Sequence, residues 1–148
     1  MNAETAVKTF RQIKDGKLFG EDLETFLEVL KYFTNKSEYA EEELYGWEKI
    51  VQVKLRDAKD FYLKTNNPFT EHPKLDIKYG NVHSPDTTII SDVDTFTGIM
   101  CGRAQRFTEG SMLFRIEGDG TQASIFFMLI RLIAQEFTEQ KRQGLMKK

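Results

Sequence analysis

The sequence predicts an α+β fold: helices first, a meander of short strands, a helical excursion, a last strand and a long closing helix. Three observations carry this. Apolar residues recur at helical spacing between Ala6 and Phe33, the period changes to two from Trp47 onward, and a segment free of Gly and Pro runs from Thr121 until Gly144. Each predicted strand has one apolar face, so a single five-stranded sheet covered on one face by helices satisfies the pattern. The 148 residues suit one domain, with helices over 1–46 and the sheet and closing helix over 47–148.

In chain order, residues 2–14 carry Ala6, Val7, Phe10 and Ile13 at helical spacing, with Asn2 placed to cap and Asp15-Gly16 to stop the helix. Residues 21–34 put Leu23, Phe26, Leu27, Leu30 and Phe33 on one stripe, with acids in the first turn where they suit the helix dipole. Ser37 is placed to cap a short acidic helix ending near Tyr45. From 47 to 56, Trp47, Lys49, Val51, Val53 and Leu55 point one way and Ile50, Gln52, Lys54 and Arg56 the other, which reads as a strand with an apolar and a polar face. A turn at Asp57-Ala58-Lys59-Asp60 leads into a hairpin partner over 61–64, and 74–79 and 87–90 alternate again. Ser91-Asp92 suits the cap of a short helix over 93–101, with a further helical turn over 103–108. Residues 112–116 form the fifth strand, and Gly118-Asp119-Gly120 turns the chain into the closing helix from 121 to the early 140s.

Composition narrows the function classes. Lys and Arg number 21 against 23 Asp and Glu, so no nucleic-acid footprint is expected. A single cysteine, Cys101, gives no internal disulfide framework, and no apolar signal core opens the chain, so the expected location is cytoplasmic. No apolar run approaches the roughly 20 residues that span a bilayer. Twelve Phe against one Trp suit a large apolar interior, because Phe needs no polar partner.

The closing helix is too apolar for an ordinary surface helix. Only Arg131 interrupts the apolar run from Ile125 to Ala134, and leaving such side chains in water forfeits about 1.5–3 kcal/mol each. It must be buried on several sides, or buried on one side and set against something apolar that is not protein. Arg131 has two readings: a bidentate donor to a ligand carboxylate or phosphate, or a side chain reaching the surface with its stem over apolar neighbours.

Other motifs read more plainly. Gly118-Asp119-Gly120-Thr121 lacks the Lys-Ser or Lys-Thr of a phosphate loop and reads as a tight turn with a helix cap. Asp92-Val93-Asp94 fails as a calcium loop because Phe96 and Arg103 hold ligand positions. His72, His83 and Cys101 lack metal-ligand spacing, and Cys101 reads as a small buried hydrophobe rather than the nucleophile of a Cys-His pair. No cofactor is expected. The tail, with Lys141, Arg142, Lys147 and Lys148 beside Leu145 and Met146, suits either a frayed terminus or transient contact with an anionic membrane.

From Pro85 to Ala134 the sequence resembles the sterol carrier protein 2 (SCP2) family of lipid-binding domains. The residues concerned are Pro85-Asp86, Thr88-Ile89, Ser91-Asp92, Gly102, Phe107-Thr108-Glu109-Gly110, Ile116-Glu117-Gly118-Asp119 and Ala123, and the strands from Trp47 fit the same order. Helical sequence before Glu21 is additional to that order, and the end Leu145-Met146-Lys147-Lys148 is not a peroxisomal signal. The resemblance implies a five-stranded mixed sheet under helices, enclosing an apolar tunnel for a fatty-acyl, sterol-like or isoprenoid chain, with no catalytic centre. With the apolar surplus of the closing helix, it points to Phe126, Phe127, Ile130, Ile133, Ala134 and Phe137 as the lipid-facing wall between sheet and last helix. Leu27, Leu30, Phe33, Phe107 and Met112 would complete it. The alternative is that these residues fill an ordinary core and the domain serves as an accessory or dimerisation module for an enzyme, as a homodimer or beside its partner.

Overall fold

The computed structural model describes residues 2–103 and 114–142, with the side chains at 125, 126 and 139–142 excepted. Alternating β-branched and aromatic residues form five strands: β1 Val51–Leu55, β2 Phe61–Asn66, β3 Lys74–Tyr79, β4 Thr87–Ser91 and β5 Phe114–Gly118. They make one mixed sheet in the order β3-β2-β1-β4-β5, with β1 and β4 parallel and the other neighbours antiparallel. The period of two holds in register. Val53 pairs with Phe61 on one side and Ile89 on the other, and Ile89 with Ile116, so apolar side chains meet on one face.

The parallel pair requires a crossover from β3, at one edge, past β2 and β1 to β4. Gln52 ties that crossover down. Its Nε2 donates to Phe61 O and Gly80 O at 3.0 Å, and its Oε1 accepts from Val82 N at 2.9 Å. Alternation assigns Gln52 to a polar face, yet the residue is wholly buried. The reason is that a buried amide here bonds backbone groups of the crossover at Gly80 and Val82 together with Phe61 of β2. Trp47 and Lys49, expected inside the first strand, precede it. The Trp47 indole donates instead to Gln122 Oε1 at 2.7 Å, and the ladder begins at Val51.

The helices are α1 Ala3–Asp15, α2 Leu23–Thr34, α3 Glu38–Leu44, α4 Val93–Met100 and α5 Gly120–Arg142. Three expected caps form: Asn2 Oδ1 accepts from Glu4 N, Ser37 Oγ from Ala40 N and Asp92 Oδ2 from Thr95 N. The expected second helix starts two residues late, because Gly20–Asp22 is a 3-10 turn in which Asp22 accepts from Phe19 N. Met112 and Leu113, placed in the last strand, and the turn over 104–108 lie outside the described residues.

The core lies between the apolar face of the sheet and the helices. Val51, Val53, Phe61, Leu63, Leu75, Ile89 and Phe114 meet Phe26, Leu27 and Leu30 of α2, Phe96 and Ile99 of α4, and Ala123, Leu129 and Ile133 of α5, all buried. Phe61 and Phe96 meet edge to face at 5.8 Å.

The free edge of β3 is covered. Asn35, just past α2, uses its side-chain amide as a short strand: Nδ2 donates to Leu75 O at 3.0 Å and Oδ1 accepts from Leu75 N at 2.7 Å. Beside it, burial works against ionisation of Asp76, but hydrogen bonds from Asn66 and Lys31 and the charges of Lys31 and Lys78 outweigh it, holding the carboxyl below the ordinary 3.8. A pKa lower in the folded than in the unfolded chain adds stability that is present above the unfolded value and lost as pH falls through the folded one. In urea unfolding between pH 6 and pH 2.5, Asp76→Asn is therefore expected to lose less stability on acidification than the parent. An identical pH slope for the two would refute this role.

The turn into α5 joins the Pro85-Asp86 and Gly118-Asp119 segments. Asp86 O accepts from Asp119 N at 3.0 Å, Asp86 Oδ2 from Ile50 N at 2.8 Å, and Thr87 Oγ1 donates to Asp119 O. Asp119 in turn accepts from Thr121 N at 3.0 Å and Gln122 Nε2 at 3.1 Å. The amide of Thr121, the second residue of α5, is thus taken by the chain's own carboxylate, and the segment is a turn with a cap.

Candidate functional site

Two helices present apolar stripes to one another across a gap. On α1 the stripe is Val7, Phe10 and Ile13, and on α5 it is Phe127, Ile130, Ala134 and Phe137, both at the three-and-four spacing of one helix face. Between them, closed off by Ile99, Met100, Cys101 and Gly102 at the end of α4, lies a cleft of about 1020 Å³. That volume stands at the upper end of the roughly 300–1,000 Å³ usual for small-molecule sites. The apolar wall is buried or half-buried, whereas Arg11, Lys14, Asp15, Arg131, Gln135 and Thr138 are exposed at the rim.

One end of the cleft is set by three aromatic rings. Phe10 stacks on Phe137 at 4.3 Å, and Phe33 meets Phe10 at 5.6 Å and Phe137 at 5.7 Å, both edge to face. This fixes the α1 stripe against α5 through a residue of α2. Beyond Phe137, a smaller cavity of about 240 Å³ is lined by Phe33, Ser37, Ile133 and Glu136 among others.

The apolar surplus of α5 thereby has a geometric account: the helix has two apolar surroundings. Leu129 and Ile133 enter the core, Ala134 faces the cleft, and Phe127, Ile130 and Phe137 belong to both boundaries. The expected position of the gap differs from the observed one, since among the described residues no strand residue lines this cleft. Leu27 and Leu30, expected in the wall, are buried core residues on α2. Phe33 is in the aromatic trio, and Ile133 is core bordering the smaller cavity. Phe127, Ile130, Ala134 and Phe137 line the cleft. Phe107 and Met112 lie outside the described residues, as does the side chain of Phe126.

The α1 and α4 contributions were missed from sequence. The motif resemblance begins after α1, and a stripe of Val7, Phe10 and Ile13 does not say what it faces. The signal that could have found them was that this stripe had no assigned partner.

Among the described residues no histidine joins Cys101 at the cleft. Cys101 is buried with Sγ 3.6 Å from Gly98 O, and Arg103, which donates to Leu18 O at 2.6 Å, has Nη1 3.6 Å from the sulfur. His72 pairs with Glu41 at 2.8 Å on α3, and His83 is exposed in the crossover. Among the described residues no group of three or more His, Cys, Asp or Glu is arranged to hold a metal ion, and no helix is long and apolar enough to cross a membrane.

No protein-family model and no curated protein matches the sequence. Among solved structures, one described as "UbiJ-SCP2 Ubiquinone synthesis protein" superposes with a TM-score of 0.52 at 18% identity, over 72% of this chain and 85% of that one. The chain has the SCP2-like fold. The five-stranded mixed sheet, the helices on one face and the long closing helix expected from the sequence are those of that fold. In this SCP2-like chain the Pro85-Asp86 and Gly118-Asp119 motifs set the junction between sheet and α5 through backbone and capping hydrogen bonds.

Proposed function

We propose that this SCP2-like chain binds one apolar lipid, with a fatty-acyl, sterol-like or isoprenoid body, in the cleft between α1, the end of α4 and α5, and performs no chemistry on it. The observation that carries the reading is the second stripe of α5, where Ala134, together with Phe127 that also packs against the core, borders a volume of about 1020 Å³. An apolar body entering there removes water from both surfaces. About ten buried methylenes would contribute roughly 8 kcal/mol against an association cost of at least about 4 kcal/mol, so a chain of that length is held no better than about millimolar and a tighter ligand buries more. An isoprenoid chain is among the ligands to test because the structural neighbour is described as a ubiquinone synthesis protein.

The test is extraction and mass spectrometry of lipid from the purified chain, with titration of the delipidated chain by a fluorescent fatty acid. A stoichiometric lipid, or saturable uptake at one site, is expected. Recovery of no lipid together with no uptake would overturn the reading.

A second reading, an accessory module for an enzyme, is favoured by a separate surface. Tyr45 and Phe69 are each 61% exposed and meet edge to face at 6.3 Å beside the acidic α3. A co-purifying enzyme whose capture is lost in Phe69→Ser would support that role, alone or alongside lipid binding.

A further inference from the structure

We infer that the mouth of the cleft selects amphiphiles with an anionic head over neutral ones, through Arg11 and Lys14 of α1 and Arg131 of α5; this rests on the lipid-binding reading above. Each of these cations directly follows an apolar wall residue: Phe10-Arg11, Ile13-Lys14 and Ile130-Arg131. Because adjacent helical residues are rotated by about 100°, this spacing sends the apolar side chain into the cleft and its neighbour to the rim. The charges therefore come from two helices on either side of one opening, and among the described residues one carboxylate, Asp15, shares the rim with them.

Among the described residues the balance at the rim, three cations to one anion, has the opposite sign to the whole chain, which carries a formal net charge of −2. Among the described residues no carboxylate lies in ion-pair contact with any of the three cations, although other lysines of the chain, such as Lys31 and Lys78 with Asp76, do have such partners. A ligand whose chain fills the apolar wall brings its head to this opening. A carboxylate or phosphate monoester there pairs charge with charge when it accepts from a guanidinium or the ammonium, whereas a hydroxyl head brings no charge of its own. The cations are exposed, so each contributes modestly and is screened by salt.

The experiment is competition against a fluorescent apolar probe bound to the full chain, using dodecanoic acid, dodecyl phosphate and dodecanol at low and high salt. The expected result is that one or both anions outcompete the alcohol by about tenfold at low salt, with the ratio shrinking as salt rises. In the Arg11→Gln, Lys14→Gln, Arg131→Gln variant the ratio is expected to fall towards one, while Lys8→Gln, on α1 but away from this cleft, keeps it. Preference for the phosphate over the acid would assign a phosphorylated lipid, and the reverse a free fatty acid. Equal competition by alcohol and anions in the parent chain, or a preference that survives the triple substitution, would overturn the inference and leave lipid binding standing. Failure of all three ligands and the probe to bind would overturn both.

Discussion

Alanine at Gly118 is expected to destabilise the fold by roughly 3–5 kcal/mol, enough to unfold a marginally stable domain. Gly118 sits at φ +85°, where a side chain costs about 1–2 kcal/mol. A Cβ there would also stand 2.5 Å from Asp86 O and 3.4 Å from Thr87 Cα. Those are backbone atoms held in place, since Asp86 O accepts from Asp119 N and Thr87 pairs with Gly118 across the sheet. The clash cannot be relieved by rotating a side chain. Moving the backbone would break the junction that aims α5. Gly102, at φ +78° with nothing among the described residues within 4 Å of where a Cβ would sit, separates the two causes, and Gly102→Ala is expected to cost only about 1–2 kcal/mol. Urea unfolding followed by circular dichroism decides the matter. Equal losses for the two variants would refute the close-approach argument.

Tryptophan at Ala134 is expected to lower affinity for a fatty-acyl ligand by more than tenfold while leaving the chain folded. Ala134 is half-buried on the stripe of α5 that faces the cleft, so a larger side chain has space to enter and occupies the volume a ligand needs. In a filled core the same change would cost about 1–3 kcal/mol by overpacking. Leu30→Ala makes the opposite case. Leu30 is buried on α2 and does not line the cleft, so its truncation should cost about 2–5 kcal/mol of stability without a matching loss of affinity in the protein that remains folded. Fluorescent fatty acid titration and thermal unfolding of both variants would separate a lipid wall from ordinary core. Unchanged affinity in Ala134→Trp would remove the cleft as the site.

Much of the fold was legible because its signals are local. The period of two marked β3 at its observed bounds, and the caps at Asn2, Ser37 and Asp92 follow from side chains that reach their own backbone. What was not legible depends on distant partners. Gln52 looked like a solvent-facing strand residue because the crossover that buries it lies some 30 residues further along the chain. Trp47 looked like the first strand residue because its indole partner, Gln122, is 75 residues away.

The candidate site was half legible for the same reason. The surplus of apolar residues on α5 is a property of one segment and can be counted. Which side of the helix that surplus faces is decided by α1, through contacts such as Phe10 on Phe137 between segments far apart in sequence. Periodicity identifies a stripe, but not its partner. Hence Phe127, Ile130, Ala134 and Phe137 line the cleft, Leu27 and Leu30 lie in the core, and Val7 and Phe10 were passed over.

The central claim is that the ligand lies between α1 and α5. Photo-cross-linking of the delipidated chain with a diazirine-bearing fatty acid, followed by peptide mass spectrometry, tests it directly. Labels are predicted on Val7, Phe10 or Ile13 of α1 and on Phe127, Ala134 or Phe137 of α5, suppressed by excess unlabelled ligand. Labels confined to the strands or to Leu27 and Leu30 of α2 would contradict the account.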